Sequence, residues 1–594
     1  MIIGINLSHD SSVAIAKNSG ELIHAVGEER FTRKKNELKF PVKSLEWLSK
    51  IVDLSKVSKV VIGSHSKFNL LSFSQIQHIF RLNSYPNFDA QHLNVSPPFK
   101  LLPNFEDSSD ASGIKRKILV QDKIKAELNR FQIFPEIFFR NHHECHVMSA
   151  VGNANFETGL GISLDGEGDG ESGLITKFSY KPKFTSIVLN RVPSNQSLGN
   201  LYSAITERYN FKHTNHEGKI TGLAAYGKAG PALVFLMKHI EIKNGIPNIR
   251  ITRNAFLRII LKIIRELGIR TSLAMSLSDL ADIAASKSDS YPDLAFAVQA
   301  ALEEIVISLI LNYVESTKLR NIALAGGVFA NVKLNQKISE NREIEKVYIF
   351  PNMGDGGLAV GGIWDYLATT SSFQFGPKFK NMYLGVEANP SFDLNQVKVQ
   401  YPNIKTKYYE DEDQWVEQTV KLLQADKIVG VIRGAMEFGP RALLNRSIIA
   451  SPRSPNLNLV LNSRLKRTEF MPFAPVCTIE NLGRVFHLKN NSNLINFKYM
   501  TITCDVNSNF LSKIPAVVHI DKTARPQSVS FDDNPLMYKL LKKFELQTGL
   551  PCLINTSFNA HEEPILLDLY EGFDSLNKRE IDFLITDKYI FSAD

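Results

Sequence analysis

Cysteine is scarce. The chain of 594 residues holds 4: Cys145, Cys477, Cys504 and Cys552. None forms a Cys-x-x-Cys pair, so neither a disulfide framework nor a thiolate zinc finger is expected, and the usage fits a reducing compartment. A basic or long apolar leader is also missing, because Met1-Ile2-Ile3-Gly4-Ile5-Asn6 does not read as a secretory signal. The most hydrophobic helical stretch, Ile259-Ile260-Leu261-Lys262-Ile263-Ile264-Arg265, is broken by charge. No segment reads as the run of about 18 to 20 apolar residues that a membrane span needs. These absences predict a cytoplasmic protein. Basic residues outnumber acidic ones, 69 Lys and Arg against 61 Asp and Glu, but are nowhere gathered into one long run. Nucleic acid is therefore not expected as a partner, nor a membrane; small phosphorylated molecules are the simpler target.

What is present is a globular composition. With 44% hydrophobic and 22% charged residues, a large packed core is expected and wholesale disorder is excluded. The length exceeds what one core serves, so two or more domains are expected. The composition shifts between Ser371 and Pro377, which places a boundary near residue 370. Residues 72 to 113 mix Pro, Asn, Ser and Phe without periodicity and read as a long insertion or lid.

The densest chemistry in the first part is Asn141-His142-His143-Glu144-Cys145-His146. His142 and His146 stand at i and i+4, which on a helix places two imidazoles on one face. An isolated pair at this spacing is more often a chance polar helix start. Two acids change that reading: Asp165, at the end of a buried strand in Leu164-Asp165-Gly166-Glu167-Gly168, and Asp355, in Asn352-Met353-Gly354-Asp355-Gly356-Gly357. Two histidines and two carboxylates form a donor set for iron(II) first, with manganese, zinc and magnesium as the other choices. Cys145, about 100° round the helix from His146, is expected in the core.

The N-terminal Ile2 to Ile5 and Ser12 to Ala16 runs, with Glu21 to Arg30, predict a meander of hairpins. Its polar first turn holds His9. Asn215-His216-Glu217-Gly218-Lys219-Ile220-Thr221-Gly222 reads as a loop feeding a tight turn near a ligand. Residues 295 to 315 show helical spacing and predict a core helix. After a buried strand, Gly326 and Gly327 precede Asn331. Bare amides at such a junction, and Gly354 beside Asp355, suit an anionic or nucleotide ligand. Lys219, Gly326, Gly327, Asn331, Gly354 and Asp355 are the nucleotide-site candidates.

Past residue 370, four segments end apolar runs with Arg, Lys, Ser or Asn: 434 to 447, 461 to 475, 519 to 525 and 553 to 559. A lone arginine is usually a surface ion pair; four such segments in one domain favour a phosphate cleft.

Together the motifs resemble the NodU/CmcH family of O-carbamoyltransferases, nearly end to end. The matches are His9-Asp10-Ser11, Glu28-Glu29-Arg30-Phe31-Thr32-Arg33, the histidine motif at 142 to 146, Glu217-Gly218-Lys219 with Gly222 to Gly227, Glu437 to Leu443, Pro472-Phe473-Ala474-Pro475 and Asn555-Thr556-Ser557-Phe558-Asn559. There are two departures. Leu465-Lys466-Arg467-Thr468-Glu469-Phe470-Met471 keeps the family's arginine in register but moves its lysine by one place. Glu562 stands where relatives have glycine before Glu-Pro-Ile.

The resemblance implies an α/β (α+β) chain of two catalytic parts. Residues 1–370 would form a TsaD-like domain of the ASKHA fold, and residues 371–594 a YrdC-like domain. It implies that the second part joins carbamoyl phosphate and ATP into carbamoyl-adenylate. The first part then passes the carbamoyl group to a hydroxyl of a small natural product or sugar-containing acceptor. In the roles so implied, Arg441, Lys466 and Arg525 hold phosphates and Ser557 hydrogen-bonds. His9 takes the acceptor's proton and Lys34 steadies the oxyanion. The metal on His142, His146, Asp165 and Asp355 binds the adenylate phosphate. Homodimerisation stays open. The rival readings are a tRNA threonylcarbamoyl-type modification enzyme, a HypF-like maturation carbamoyltransferase and a non-catalytic metal and nucleotide sensor.

Overall fold

The computed structural model describes residues 1–65, 78–79, 111–251, 276–370, 373–388, 392–467, 471–489 and 493–593. The 72 to 113 stretch, except 78–79 and 111–113, and the Ile259 to Arg265 stretch lie outside the described residues, as do residues 468–470.

The N-terminal meander forms as expected. Ile2–Asn6, Ser12–Ala16 and Leu22–Gly27 pair antiparallel. Lys59–Ile62 then joins Ile2–Asn6 in parallel, and Glu136–Phe139 joins Lys59–Ile62 in parallel. A second five-stranded sheet repeats this plan. Thr158–Gly168, Glu171–Ser179 and Thr185–Pro193 make the antiparallel meander. Asn321–Ala325 joins the first of these in parallel, and Lys346–Ile349 follows, again in parallel. The two sheets therefore share one strand order, and equivalent strand ends can converge on one place.

In each sheet the last strand leads into a helix, His142–Val151 after the first and Leu358–Ala368 after the second. These helices cross with their backbones in contact. A Cβ added to Gly361 would lie 1.9 Å from the Cys145 carbonyl oxygen. That closeness explains the small residue at Gly361 and the full burial of Cys145. One apolar cluster fills the space between the sheets and reaches Phe438, Leu443 and Tyr499 from beyond residue 370. Separate clusters cover the outer faces.

The core helix is longer than its expected span, Tyr291–Thr317. It corrects the reading that no segment has the apolarity of a membrane span. Its most apolar 18-residue window reaches a mean hydropathy of 2.0, but 61% of that window is buried inside the molecule. Apolar content here serves a core face packed on the helices Glu217–Ala224 and Pro231–His239.

The remaining residues build a mixed eight-stranded sheet with its own core. Its order is Ile404–Tyr408, Tyr589–Ala593, Phe583–Ile585, Val429–Ile432, Arg446–Ala450, Cys552–Ser557, Ala474–Thr478 and Gln527–Val529. The two halves are joined by directed contacts. Asn496 accepts the Ile349 N–H at 3.2 Å and donates to the Val347 carbonyl at 2.8 Å, capping the edge of the second sheet. Arg33 donates to the carbonyls of Pro564 and Ile565 and pairs with Glu571 at 2.7 Å.

Candidate functional site

The repeated sheet plan brings four predicted ligands together. His142 and His146 enter from the helix after the last strand of the first sheet, Asp355 from just before the corresponding helix of the second. Asp165 comes from the first strand of the second sheet. His9 sits in the turn after the first strand of the first. The helix start is fixed by Asn141, whose side chain accepts the N–H groups of His143 and Glu144, and by Asp169, which accepts that of His142 at 3.0 Å.

The result is a buried cluster. The two Nε2 atoms lie 3.1 Å apart. Asp165 Oδ2 is 3.3 Å from His142 Nε2 and 3.6 Å from His146 Nε2. Asp355 Oδ1 is 3.6 and 3.3 Å from the same two atoms. A cation with bonds of about 2.1 Å holds neighbouring ligand atoms roughly 3.0 to 3.4 Å apart, in octahedral or tetrahedral geometry. Three of the five observed edges, 3.1 to 3.3 Å, fall within that frame, and two at 3.6 Å lie just outside it. The second oxygens are committed outward: Asp165 Oδ1 accepts the Gly327 N–H at 2.7 Å, and Asp355 Oδ2 accepts the Ser8 hydroxyl at 2.6 Å. Outer contacts of this kind orient ligands in metal sites. The four residues present therefore fit a hard-to-borderline divalent cation.

The cluster's electrostatics agree. Burial would raise both carboxylates, yet the imidazoles outweigh it, holding Asp165 well below its ordinary range and Asp355 at about 2. Burial would lower His146, yet Asp165 and Asp355 hold it up at about 9. His9 has Nε2 3.3 Å from Asp355 Oδ2 and Nδ1 3.3 Å from Asp10, and Asp355 chiefly drives it up to about 10. By contrast burial, then His142 and His146, push His143 down to about 3, and it bonds Ser163 Oγ at 2.8 Å. The field between the two acids thus attracts positive charge.

A cavity of about 450 Å³ opens between the halves. All four segments singled out beyond residue 370 converge on it, three of them supplying Arg441, Arg467 and Arg525 and the fourth Ser557. The first half supplies Lys219, Asn331, Lys35 and Lys212. Arg441 is half-buried in its wall with its Nε enclosed and lacking a hydrogen-bond partner, and desolvation together with Arg525 holds its pKa well below the ordinary value. Two guanidiniums held side by side in this way favour an anion between or beside them.

Several predicted residues stand elsewhere. Lys34 is exposed and outside the cavity lining; its neighbour Lys35 lines it. Lys466 is exposed in a left-handed conformation, φ 54°, which turns it away, and Arg467 enters instead. Arg467 donates to Thr556 Oγ1, to the carbonyls of Ser557 and Asn559, and to their side chains. The amides of Gly326 and Gly327 are not bare. They donate to the Met353 carbonyl at 2.7 Å and to Asp165, so this junction supports the metal cluster. At Gly326, φ 99° and a Leu164 carbonyl 2.2 Å from any added Cβ require glycine. Gly354 borders open space beside Asp355. Residues 217 to 224, expected as a loop, form a helix, and its first turn carries Lys219 to the cavity. Ser8, His143 and Arg467 were missed, though each adjoins a residue the motifs singled out.

Comparison with known proteins gives the following. Residues 1–363 match the family model described as the carbamoyltransferase N-terminus, and residues 420–593 that of the carbamoyltransferase C-terminus. An uncharacterized protein of Methanocaldococcus jannaschii is 29% identical, covering 100% of this chain and 99% of its own length. Nodulation protein NolNO of Sinorhizobium fredii is 27% identical over 98% of this chain and 78% of its own length. Among solved structures, T. kodakarensis HypF aligns over 63% of this chain and 48% of its own, with a TM-score of 0.32 and 13% identity.

Proposed function

The chain belongs to the carbamoyltransferase family and is an enzyme, and from this premise we propose that it carbamoylates a hydroxyl of a small-molecule acceptor through a carbamoyl-adenylate. One observation carries the reading: three separate segments beyond residue 370 deliver three arginines, and a fourth delivers Ser557, to one cavity that borders the half holding the metal cluster. An adenylate route needs both a polyphosphate site and a second centre.

In the cavity, Arg441, Arg467 and Arg525 hold the phosphates of ATP and carbamoyl phosphate, with Lys219 opposite. One carbamoyl phosphate, one ATP and one water give carbamoyl-adenylate, phosphate and pyrophosphate. Arginine suits this because its planar fork matches two phosphate oxygens at once. In the transfer step the acceptor oxygen bonds to the carbamoyl carbon, the carbon–oxygen bond to phosphate breaks, and AMP leaves. His142, His146, Asp165 and Asp355 would hold a divalent cation, iron(II) by first choice. When bound, such an ion supplies Lewis-acid stabilisation to a phosphate. A cation held there would offset the carboxylate charge that raises His9, whose Nε2 would then take the acceptor proton.

The repeated sheet plan supports an ASKHA-type assignment for residues 1–370, and the separate eight-stranded sheet supports a YrdC-like unit in 371–594. The acceptor is a hydroxylated small molecule rather than RNA. The test is pyrophosphate release from ATP that depends on carbamoyl phosphate, followed by mass spectrometry for a gain of one carbamoyl group. Small alcohols and sugars are compared with tRNA as acceptors. Pyrophosphate release without dependence on carbamoyl phosphate would sink the proposal, and modification of tRNA alone would redirect it.

A further inference from the structure

The cavity lining carries six permanent cations, Lys35, Lys212, Lys219, Arg441, Arg467 and Arg525, and among the described residues a single carboxylate, Glu562. That carboxylate is held deliberately. Glu562 has φ 60°, a backbone region that strains any residue with a side chain. The turn around it is closed by Leu566 N–H on the Phe558 carbonyl at 2.9 Å, and His561 N–H reaches the Leu465 carbonyl at 3.1 Å. From this turn Glu562 crosses to the other half of the molecule. Its Oε2 accepts from Lys212 Nζ at 2.6 Å, and its Oε1 lies 3.3 Å from His216 Nε2.

His216, His561 and Glu562 could be read as a second cation site, since their donor atoms lie within 4.8 Å of one another. The hydrogen bonding argues against it. The Lys212 backbone N–H donates to His216 Nδ1 at 3.2 Å, so the ring proton of the neutral imidazole is on Nε2, the atom that faces Glu562. A nitrogen carrying its proton is a donor, not a ligand. The cluster is therefore an ion pair with a supporting imidazole, set at the rim of a cationic cavity.

We propose that Glu562 is an internal anion that engages the rim cations of the cavity and is displaced from them by the incoming phosphate substrate, so that it sets substrate affinity. This rests on reading the cavity as the polyphosphate site. An anion competing for Lys212 weakens the binding of any substrate that must take over that lysine. A strut joining the halves would do the opposite, since its loss would loosen the site. The sign of the effect separates the two. The pair is part exposed, 40% for Glu562 and 64% for Lys212, so the effect is modest.

The test is isothermal titration of the full chain with inorganic pyrophosphate and, separately, with ATP. Glu562→Gln removes the charge and keeps the shape; Glu562→Gly removes the charge and the backbone strain. The expected result is binding about two- to fivefold tighter than wild type, the scale of a part-exposed ion pair. Unchanged or weaker binding in Glu562→Gln overturns the inference. Should that variant melt well below wild type, the Glu562→Gly titration decides by the same criterion. A wild-type chain that binds neither probe overturns the cavity reading and the inference with it. A wild-type chain that binds both, with no gain in the variants, overturns the inference alone.

Discussion

Lys466 and Arg467 are adjacent, and the reading of the cavity assigns them opposite importance. Arg467 makes five contacts of 2.7 to 3.2 Å with Thr556, Ser557 and Asn559. It both fixes the end of the strand Cys552–Ser557 and presents charge to the cavity. Arg467→Lys keeps the charge but has one nitrogen in place of a fork, so two or three of these bonds are lost. Charge-assisted bonds contribute about 1.5–3 kcal/mol each, and the site is only partly buried, so the total is discounted to about 2–4 kcal/mol. These bonds are internal to the protein, so the loss appears first as a lower melting temperature, and carbamoyl-phosphate-dependent pyrophosphate release should fall as the charge loses its fixed position, by at most roughly 30- to 900-fold. Lys466→Ala alters an exposed side chain outside the cavity, where substitutions stay within about 0.5 kcal/mol, or roughly twofold. Both variants are assayed at saturating and limiting ATP, with a melting curve for each. Loss of activity in Lys466→Ala with near-normal Arg467→Lys would refute the cavity assignment and restore the lysine implied by the motif.

Three further outcomes are expected. His142→Ala should lose one equivalent of bound divalent metal by elemental analysis and abolish carbamoyl transfer while pyrophosphate release continues; full transfer without metal would show that the cluster is not a metal site. His9→Asn should keep metal and pyrophosphate release but slow transfer to the acceptor by roughly 10²- to 10⁴-fold, and a joint fall of all activities with melting temperature would instead mean a purely structural turn. Asp365 is pushed by burial up to about 6 although Arg140 pairs with it, so its favourable contribution is full below the unfolded value near 4 and fades as pH rises through about 6. Asp365→Asn should therefore flatten the decline in melting temperature across that window, and an unchanged slope would refute the assignment.

How much was legible depended on whether a residue's role is local. The i,i+4 histidines are fixed by helix geometry alone, and the flanking glycines marked both acids, so the cluster could be read from sequence. The meander and the core helix followed from periodicity. The cavity lining was harder, because which of two neighbouring side chains faces inward is set by one backbone torsion. Lys466 at φ 54° and the helical turn ahead of Lys35 decide those cases, and neither leaves a compositional trace. The amides of Gly326 and Gly327 show the other limit. A glycine pair after a strand announces exposed N–H groups, but Gly326 donates to the Met353 carbonyl and the partner of Gly327, Asp165, is 162 residues away. The apolarity of Tyr291–Thr317 likewise has no meaning until its neighbours are known.

The arrangement of the two centres constrains how they work together. Asp165 grips Gly327, and four residues later Asn331 lines the cavity and caps the helix Val332–Ser339 through the Leu334 N–H. On the other side Gly439, at φ 139°, packs on Asn352, three residues before Asp355, while its carbonyl accepts from Arg30 at 2.9 Å. Pro440 and Arg441 follow directly and line the cavity. Two metal-ligand candidates are thus each linked to the cavity wall by a handful of residues, with little slack in either path. On the proposed route, an adenylate formed on the arginine side passes along this shared wall. An enclosed passage is what an intermediate prone to hydrolysis requires. In the proposed mechanism, the burial of the cluster and the joining of the halves by Asn496 and Arg33 serve one end: keeping bulk water from the carbonyl while the carbamoyl group changes partners.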